Sequence, residues 1–421
     1  MSHRFTPALA AALVALASSA ARAQATFDVY VALGDSLTAG VVSGSLVETH
    51  QVNSFPAQIA RAAGIQGFQQ PTVSEPGSPP ELTLISLSPS PIVVPKASRP
   101  GSPTNAALPR PYNNLGVPGA DTQDILATVT DGGGPHDLVL RGRGTALQQA
   151  ATLRPTFITL WIGNNDVLGA ALTGRAIEGA TITSVAKFRA RFEQIVTAVK
   201  ATGARVVAAN LPDVASIPFV TTIPPVVVNP TTREPVLVDG QPVPLIGPNG
   251  ALPSNAYVLL TASSFLAQGV GIPKALGGLG TPLSDAVILD ADEVGAIRDH
   301  VNAYNLAIRD LCGAAGIPVL DLNAVLNEIA TEGRSIGGIR LTSAYLTGGI
   351  FSYDGVHPTE LGYAVLANEW IQKINEGGAS LPLVDLSPFL GVGGSARRPP
   401  GPVEFTEEAY RSLLELFTLR E

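Results

Sequence analysis

Charge is scarce in this chain of 421 residues: Asp, Glu, Lys and Arg together make up 14%, against 45% apolar residues. That balance excludes a disordered chain, and it is poor in charge for a cytoplasmic enzyme. The net charge is −8. No cluster of Lys or Arg relieves it, so nucleic acid is not expected as a partner. One cysteine, Cys312, cannot close an internal disulfide. It falls in an expected helix and reads as a small buried apolar residue. Aromatics make up only 5% of the chain, which disfavours a long sugar-binding cleft. There is no glycine-rich phosphate loop and no His or carboxylate cluster with metal-ligand spacing. Neither a cofactor nor a metal is therefore expected, and Asp290, Asp292 and Glu293 read as a solvated helix start.

The N-terminus suggests a compartment. His3 and Arg4 precede an apolar run from Ala8 to Ala17, and small-residue cleavage patterns follow at Ala21-Arg22-Ala23 and Ala23-Gln24-Ala25. This predicts a secretory signal peptide over residues 1–25 and a secreted or periplasmic protein. The run falls short of the roughly 20 apolar residues that span a bilayer, and no later segment reaches that length. No cysteine lies nearby to carry a lipid.

Beyond the leader, Phe27 to Leu33 is a β-branched and apolar run ending in Gly34. Comparable runs are Thr156 to Trp161, Arg205 to Ala209 and Ile317 to Leu320, with Asn113 to Val117 as a shorter one. They are continuous rather than alternating, as parallel strands covered on both faces should be. Helical patterns lie between them, at Phe55 to Ala63, Val185 to Lys200, Val294 to Ala315 and Leu361 to Ile374. Strand and helix in turn predict a doubly wound α/β/α sandwich around about five parallel strands.

Two stretches break the alternation. Pro71 to Pro111 holds 11 prolines and Pro212 to Pro282 holds 12, out of 35 in the chain. Proline removes a backbone donor and excludes central strands and helix interiors, so both read as insertions, at about 71–111 and 212–290. The second is apolar as well, and is read either as surface decoration or as a cap over the active site. Within it, Val236 to Gly240 followed by Gln241 to Leu245 predicts a hairpin with an Asp-Gly turn. The main domain is expected to span 26–376. After Gly377 a Gly/Pro-rich linker leads to an amphipathic stretch, Glu404 to Leu419, with Phe405, Leu413, Leu414, Phe417 and Leu419 on its apolar face. It is expected to dock on its own domain, and a partner-binding helix is the other reading.

The chemistry begins at Gly34-Asp35-Ser36-Leu37, which closes the first strand and puts the Ser36 hydroxyl at the carboxyl edge of a parallel sheet. Either Ser36 or Asp35 could simply cap the next helix. Far along the chain, Asp354-Gly355-Val356-His357-Pro358 spaces a carboxylate three residues before an imidazole. An Asp that holds one ring nitrogen leaves the other free to take a proton. Of the chain's 5 histidines, His3 lies in the leader, and His50, His136 and His300 lack an acid at that spacing. His357 could also be a helix-entry residue, with Pro358 setting the first turn. Asn114-Leu115-Gly116-Val117-Pro118-Gly119 is a glycine turn able to aim an N–H, and Gly163-Asn164-Asn165-Asp166 ends a strand with carboxamide donors. An oxyanion needs donors of this kind.

In order and type these four segments resemble the four blocks of the SGNH hydrolases, also called GDSL esterases and lipases. The resemblance runs from about Val29 to Asn375 and departs in the two insertions and the tail. It implies a flavodoxin-like fold with Ser36 as nucleophile and as an oxyanion donor through its N–H. It further implies Gly119 as a backbone donor, Asn165 as a side-chain donor, His357 as base and Asp354 as its orienter. The family's Gly-x-Asn-Asp motif selects Asn165 over Asn164, and the second glycine of the turn selects Gly119 over Gly116. Asn210-Leu211-Pro212-Asp213 is similar to a segment of longer bacterial and plant members.

The implied activity is hydrolysis of carboxylic esters, as an esterase or lipase, with a small ester or lipid as substrate. Transient contact with a lipid surface fits this reading, and no obligate protein partner is expected. The same fold serves carbohydrate O-acetylesterases and acyltransferases, and a non-catalytic secreted binding protein is the rival from another class. Gly333-Arg334-Ser335-Ile336-Gly337 fits the nucleophile elbow of another hydrolase fold, but a helical stretch, Ala324 to Thr331, leads into it instead of a strand. Ser184-Val185-Ala186-Lys187 lacks the companion motifs of the penicillin-binding enzymes.

Overall fold

Five of the predicted runs pair into one parallel sheet in the computed structural model of the protein, which describes residues 27–86, 91–390 and 402–417. The expected leader at 1–25, residues 391–401 of the linker and Leu419 of the tail lie outside the described residues. In chain order the strands that matter are β1 (Tyr30–Gly34), β2 (Leu82–Ser86), β3 (Ile92–Pro95), β4 (Asn114–Gly116), β5 (Phe157–Trp161), β6 (Arg205–Ala209), β7 (Val319–Leu320) and β8 (Glu404–Phe405). The helices are α1 (Ser36–Ala39), α2 (Phe55–Ala62), α3 (Asn165–Thr173), α4 (Val185–Ala201), α5 (Ala291–Ala314), α6 (Leu322–Thr331), α7 (Glu360–Glu376) and α8 (Glu407–Leu414).

The central sheet runs β7-β6-β5-β1-β4, all parallel. β1 therefore has β4, the next strand of this sheet in chain order, on one side and β5, the third, on the other, which is the switch point of a flavodoxin-like order. β1, β4 and β5 are buried along their whole length, β1 and β5 as continuous apolar runs require and β4 with its Asn114 Nδ2 donating to Thr38 O. Helices cover both faces. On one, Phe55 of α2 stacks on Trp370 of α7 at 5.3 Å and lies against Trp161. In the other helical layer Phe188 of α4 stacks on Tyr304 of α5 at 4.0 Å. Cys312 is buried in α5, and burial pushes its thiol pKa up to about 12.

Boundaries moved where local chemistry overrode the pattern. The run from Ile317 shortens to Val319–Leu320 because Pro318 has no N–H, although its carbonyl still accepts from Ala208 N. Helix α5 begins three residues before Val294. Asp290 and Glu293 form a reciprocal capping box there, with Glu293 N donating to Asp290 and Asp290 N to Glu293. The Asp-Gly hairpin forms between Leu237–Val238 and Gln241–Pro242, with Asp239 and Gly240 both at positive φ as a type I′ turn demands.

Among the described residues neither proline-rich stretch contributes to the central sheet. In the first, β2 and β3 pair antiparallel, and β8 of the C-terminal tail adds to β3 in parallel. The second carries a small core of its own around Val227, Leu245, Val258 and Ile288. Its first turn reaches the His357 loop, where Phe219 N donates to Gly355 O at 2.9 Å.

A half-buried ionic knot ties the first stretch to α7. His50 Nε2 lies 2.8 Å from Glu81 and Nδ1 lies 3.0 Å from Glu360, with Lys96 on the far oxygen of Glu81. Burial opposes the imidazolium, but the hydrogen bonds to Glu360 and Glu81 outweigh it and raise the pKa to about 9. A folded-state pKa above the unfolded value means stabilisation that is complete below about pH 6.5 and lost as pH rises through about 9. His50→Gln should therefore cost about 1–2 kcal/mol at pH 6, a figure reduced for partial exposure, and much less at pH 10. Denaturant midpoints of both proteins at the two pH values check this, and a gap that does not shrink contradicts it.

Candidate active site

The sharp passage from β1 into α1 depends on Gly34. A Cβ there would lie 2.2 Å from Thr38 Oγ1 and 2.3 Å from Trp161 O, so only glycine allows the strand, the helix and β5 to meet. Of the two candidate caps, Asp35 takes the position. Its Oδ1 accepts from Leu37 N at 3.0 Å, which leaves Ser36 as the first helical residue with its hydroxyl uncommitted to the cap. Burial raises the Asp35 pKa to about 6, against the hydrogen bonds from Asn164 and Leu37.

The Ser36 hydroxyl meets His357 instead, with Oγ 2.8 Å from Nε2. On the other side of the ring, Nδ1 lies 2.7 Å from Asp354 Oδ2. An ionised carboxylate can only accept, so Nδ1 carries the proton and Nε2 offers its lone pair to the serine. Asp354 is fully buried and held from several directions. Oδ1 accepts from the backbone N–H of Val356 and His357, and Oδ2 also accepts from Gly44 N at 2.7 Å. Burial alone would raise the Asp354 pKa, but the electrostatic attraction and hydrogen bond of the His357 ring, with the two backbone N–H groups, outweigh it and leave it lowered. His357 does not start a helix: Thr359 caps α7 and Pro358 lies before the cap.

The loops after β4 and β5 flank this group because Gly34 pairs in register with Gly116 on one side and Trp161 on the other. Gly119 sits at φ +78, a conformation that favours glycine, and makes no backbone hydrogen bond through its N–H among the described residues. The adjoining Ala120 O accepts from Asn165 Nδ2 at 2.8 Å. That bond uses one of two carboxamide hydrogens, and the second remains available as a donor. Asn164 takes a different part: its Nδ2 donates to Asp35 Oδ2 at 2.8 Å and ties the start of α1, at Ser36, to the start of α3, at Asn165.

Two contacts here escape sequence reasoning. Asp166, fully buried, accepts from both the N–H and the hydroxyl of Thr122, locking the loop after β4 to the first turn of α3. Burial raises its pKa, with Asp121 adding to the rise and the Thr122 bonds opposing it. Nothing in the sequence pairs Asp166 with Thr122. The second is the tail: Phe417 stacks on the His357 ring, centroids 6.0 Å apart and planes 13° off parallel.

The competing serines are elsewhere. Ser335 lies exposed in a two-stranded hairpin, Arg334–Ile336 with Ile339–Leu341, reached from α6. Ser184 precedes α4 and makes no side-chain capping bond. The other described histidines are engaged with Glu81 and Glu360, with Asp131, and with Glu178. A cavity of about 560 Å³ opens at the amino-terminal ends of the strands, beside Val29 and Asn113, so size does not mark the site. A smaller apolar cavity is lined by Leu37, Ile217, Val356 and Pro358, next to both Ser36 and His357 in sequence.

A family model described as GDSL-like lipase/acylhydrolase matches residues 30–370. Among curated proteins there is no match. Among solved structures the chain is similar to an acetyl xylan esterase, AlAXEase, at 13% identity and TM-score 0.33, over 82% of this chain and 98% of that one. It is also similar to an extracellular lipase from Streptomyces rimosus at 15% identity and TM-score 0.34, over 83% of this chain and 99% of that one.

Proposed function

This chain belongs to the family of GDSL-like lipases and acylhydrolases and is a carboxylic ester hydrolase, and we propose that Ser36 is its nucleophile, His357 the base and Asp354 the group that holds the base. The observation that carries this is the continuous relay from Ser36 Oγ through His357 to Asp354, at 2.8 and 2.7 Å.

In the first half-reaction His357 Nε2 takes the Ser36 proton as Oγ bonds to the ester carbonyl carbon. The carbonyl π pair moves to oxygen, and the collapse of the tetrahedral intermediate expels the alcohol, which takes the proton from His357. In the second, water gives its proton to His357 and attacks the acyl-serine, and the acid leaves as Ser36 regains its hydrogen. The oxyanion is met by the Ser36 N–H at the start of α1, the Gly119 N–H and the second Asn165 amide hydrogen. Asn165→Ala should lower kcat by about 100-fold to 1000-fold with little change in KM. Steady-state kinetics check this, and a change in KM alone contradicts it.

The scarcity of charge and the apolar second proline-rich stretch, whose first turn reaches the His357 loop, support an ester with a hydrocarbon acyl group, hence esterase or lipase action, by an exported enzyme that carries the leader at 1–25. Hydrolysis of p-nitrophenyl esters from acetyl to palmitoyl tests the reading. A rate that peaks on an aliphatic chain supports it, with the peak choosing between esterase and lipase. Turnover of acetylated sugars alone replaces it with carbohydrate deacetylation, and no turnover of any ester overturns it.

A further inference from the structure

The C-terminal segment is built into the roof of the site. β8 pairs with β3 of the first proline-rich stretch. Phe405 N donates to Ser263 Oγ of the second at 2.7 Å, and the Phe405 ring meets Phe219 edge-on. Tyr410 Oη donates to Leu172 O at the end of α3. These anchors come from three separate parts of the chain, and together they fix where the following turn runs. Leu413 and Leu416 are buried beneath it, and Phe417 comes to rest over His357.

The Phe417 ring lies offset against the imidazole, and the group is shielded from solvent. Phe417 is 6% exposed, His357 1% and Ser36 3%. The mechanism says which part of a substrate must share that space. The departing alkoxide takes its proton from His357 Nε2, so the alcohol portion of the ester lies beside the imidazole, while the acyl portion lies on the oxyanion side of Ser36. Resting on the assignment of Ser36 and His357 above, we propose that Phe417 is a specificity-determining residue, supplied by the C-terminal segment, that limits the bulk of the alcohol half of the ester.

The test varies the two halves of the substrate independently in the full-length protein. One series keeps an acetyl group and enlarges the alcohol from ethyl to benzyl to naphthylmethyl. The other keeps the alcohol and lengthens the acyl chain. Phe417→Ala should raise kcat/KM for the bulkiest alcohol relative to ethyl by about tenfold, within the range that one pocket-filling group governs, and leave the acyl-chain profile unaltered. Phe417→Trp, which keeps an aromatic ring on the segment and guards against loss of docking in the alanine variant, should shift the alcohol series the opposite way. An unaltered alcohol profile in both variants, or a shift confined to the acyl series, overturns the proposal. Ser36→Ala in the Phe417→Ala background separates the two levels: surviving turnover there overturns the nucleophile assignment instead.

Discussion

Asp354→Asn is expected to lower kcat by about four orders of magnitude while substrate binding changes little. The carboxylate accepts from four N–H groups, those of Gly44, Val356 and His357 on the backbone and the His357 ring. An asparagine keeps one acceptor oxygen and turns an NH2 group toward the remaining donors. If that NH2 faces the ring, His357 must present an unprotonated Nδ1, and its proton moves to Nε2, where Ser36 needs a lone pair. If the amide is reversed, the NH2 points at the backbone N–H groups of the turn that carries His357. Either way the base is lost or displaced. Kinetics of the purified variant, alongside its melting temperature, distinguish this from unfolding: a well-folded variant with near-normal kcat would show that Asp354 does not orient the base.

Ser36→Ala should lose about six orders of magnitude in kcat, leaving only the acceleration that the oxyanion donors and binding supply. The group acts as one unit, so Ser36→Ala combined with Asp354→Asn should be hardly worse than Ser36→Ala alone. Stability should scarcely fall, because the Ser36 side chain makes a hydrogen bond to His357 and does not cap α1; Asp35 does that. Measured kcat for the single and double variants checks both statements. Effects that multiply would mean that the serine and the aspartate work in separate steps.

The strands and the four segments that form the candidate site were legible because their signals are local. β1, β5 and β6 are continuous apolar runs, and Gly34, Asp35 and Ser36 are consecutive. Asp354 and His357 are close enough in sequence for a turn to join them. The parallel order followed from strand and helix alternating along the chain. The hairpin at Asp239-Gly240 was legible for the same reason, since its turn chemistry is contained in two residues.

What was not legible is pairing between distant segments. Thr122 meets Asp166 across 44 residues, and Ser43 N meets Ser352 Oγ across 309. No periodicity marks either. The tail is the largest case. Its amphipathic pattern says that one face of α8 is covered, but not that β8 joins β3 or that Phe417 lies on His357. Proline spacing likewise separated both insertions from the central sheet without revealing that the second touches the His357 turn through Phe219.

The most direct test of the account is the mass of the chain after reaction with an alkyl fluorophosphonate, followed by peptide mapping. The phosphorus bonds to the activated serine oxygen with loss of fluoride, so the reagent reports the nucleophile without reference to the natural ester. The account predicts one adduct, on the peptide containing Ser36, that disappears in Ser36→Ala and forms far more slowly in His357→Ala. An adduct on Ser335 or another serine, or ester hydrolysis that continues while Ser36 stays unmodified, would contradict it.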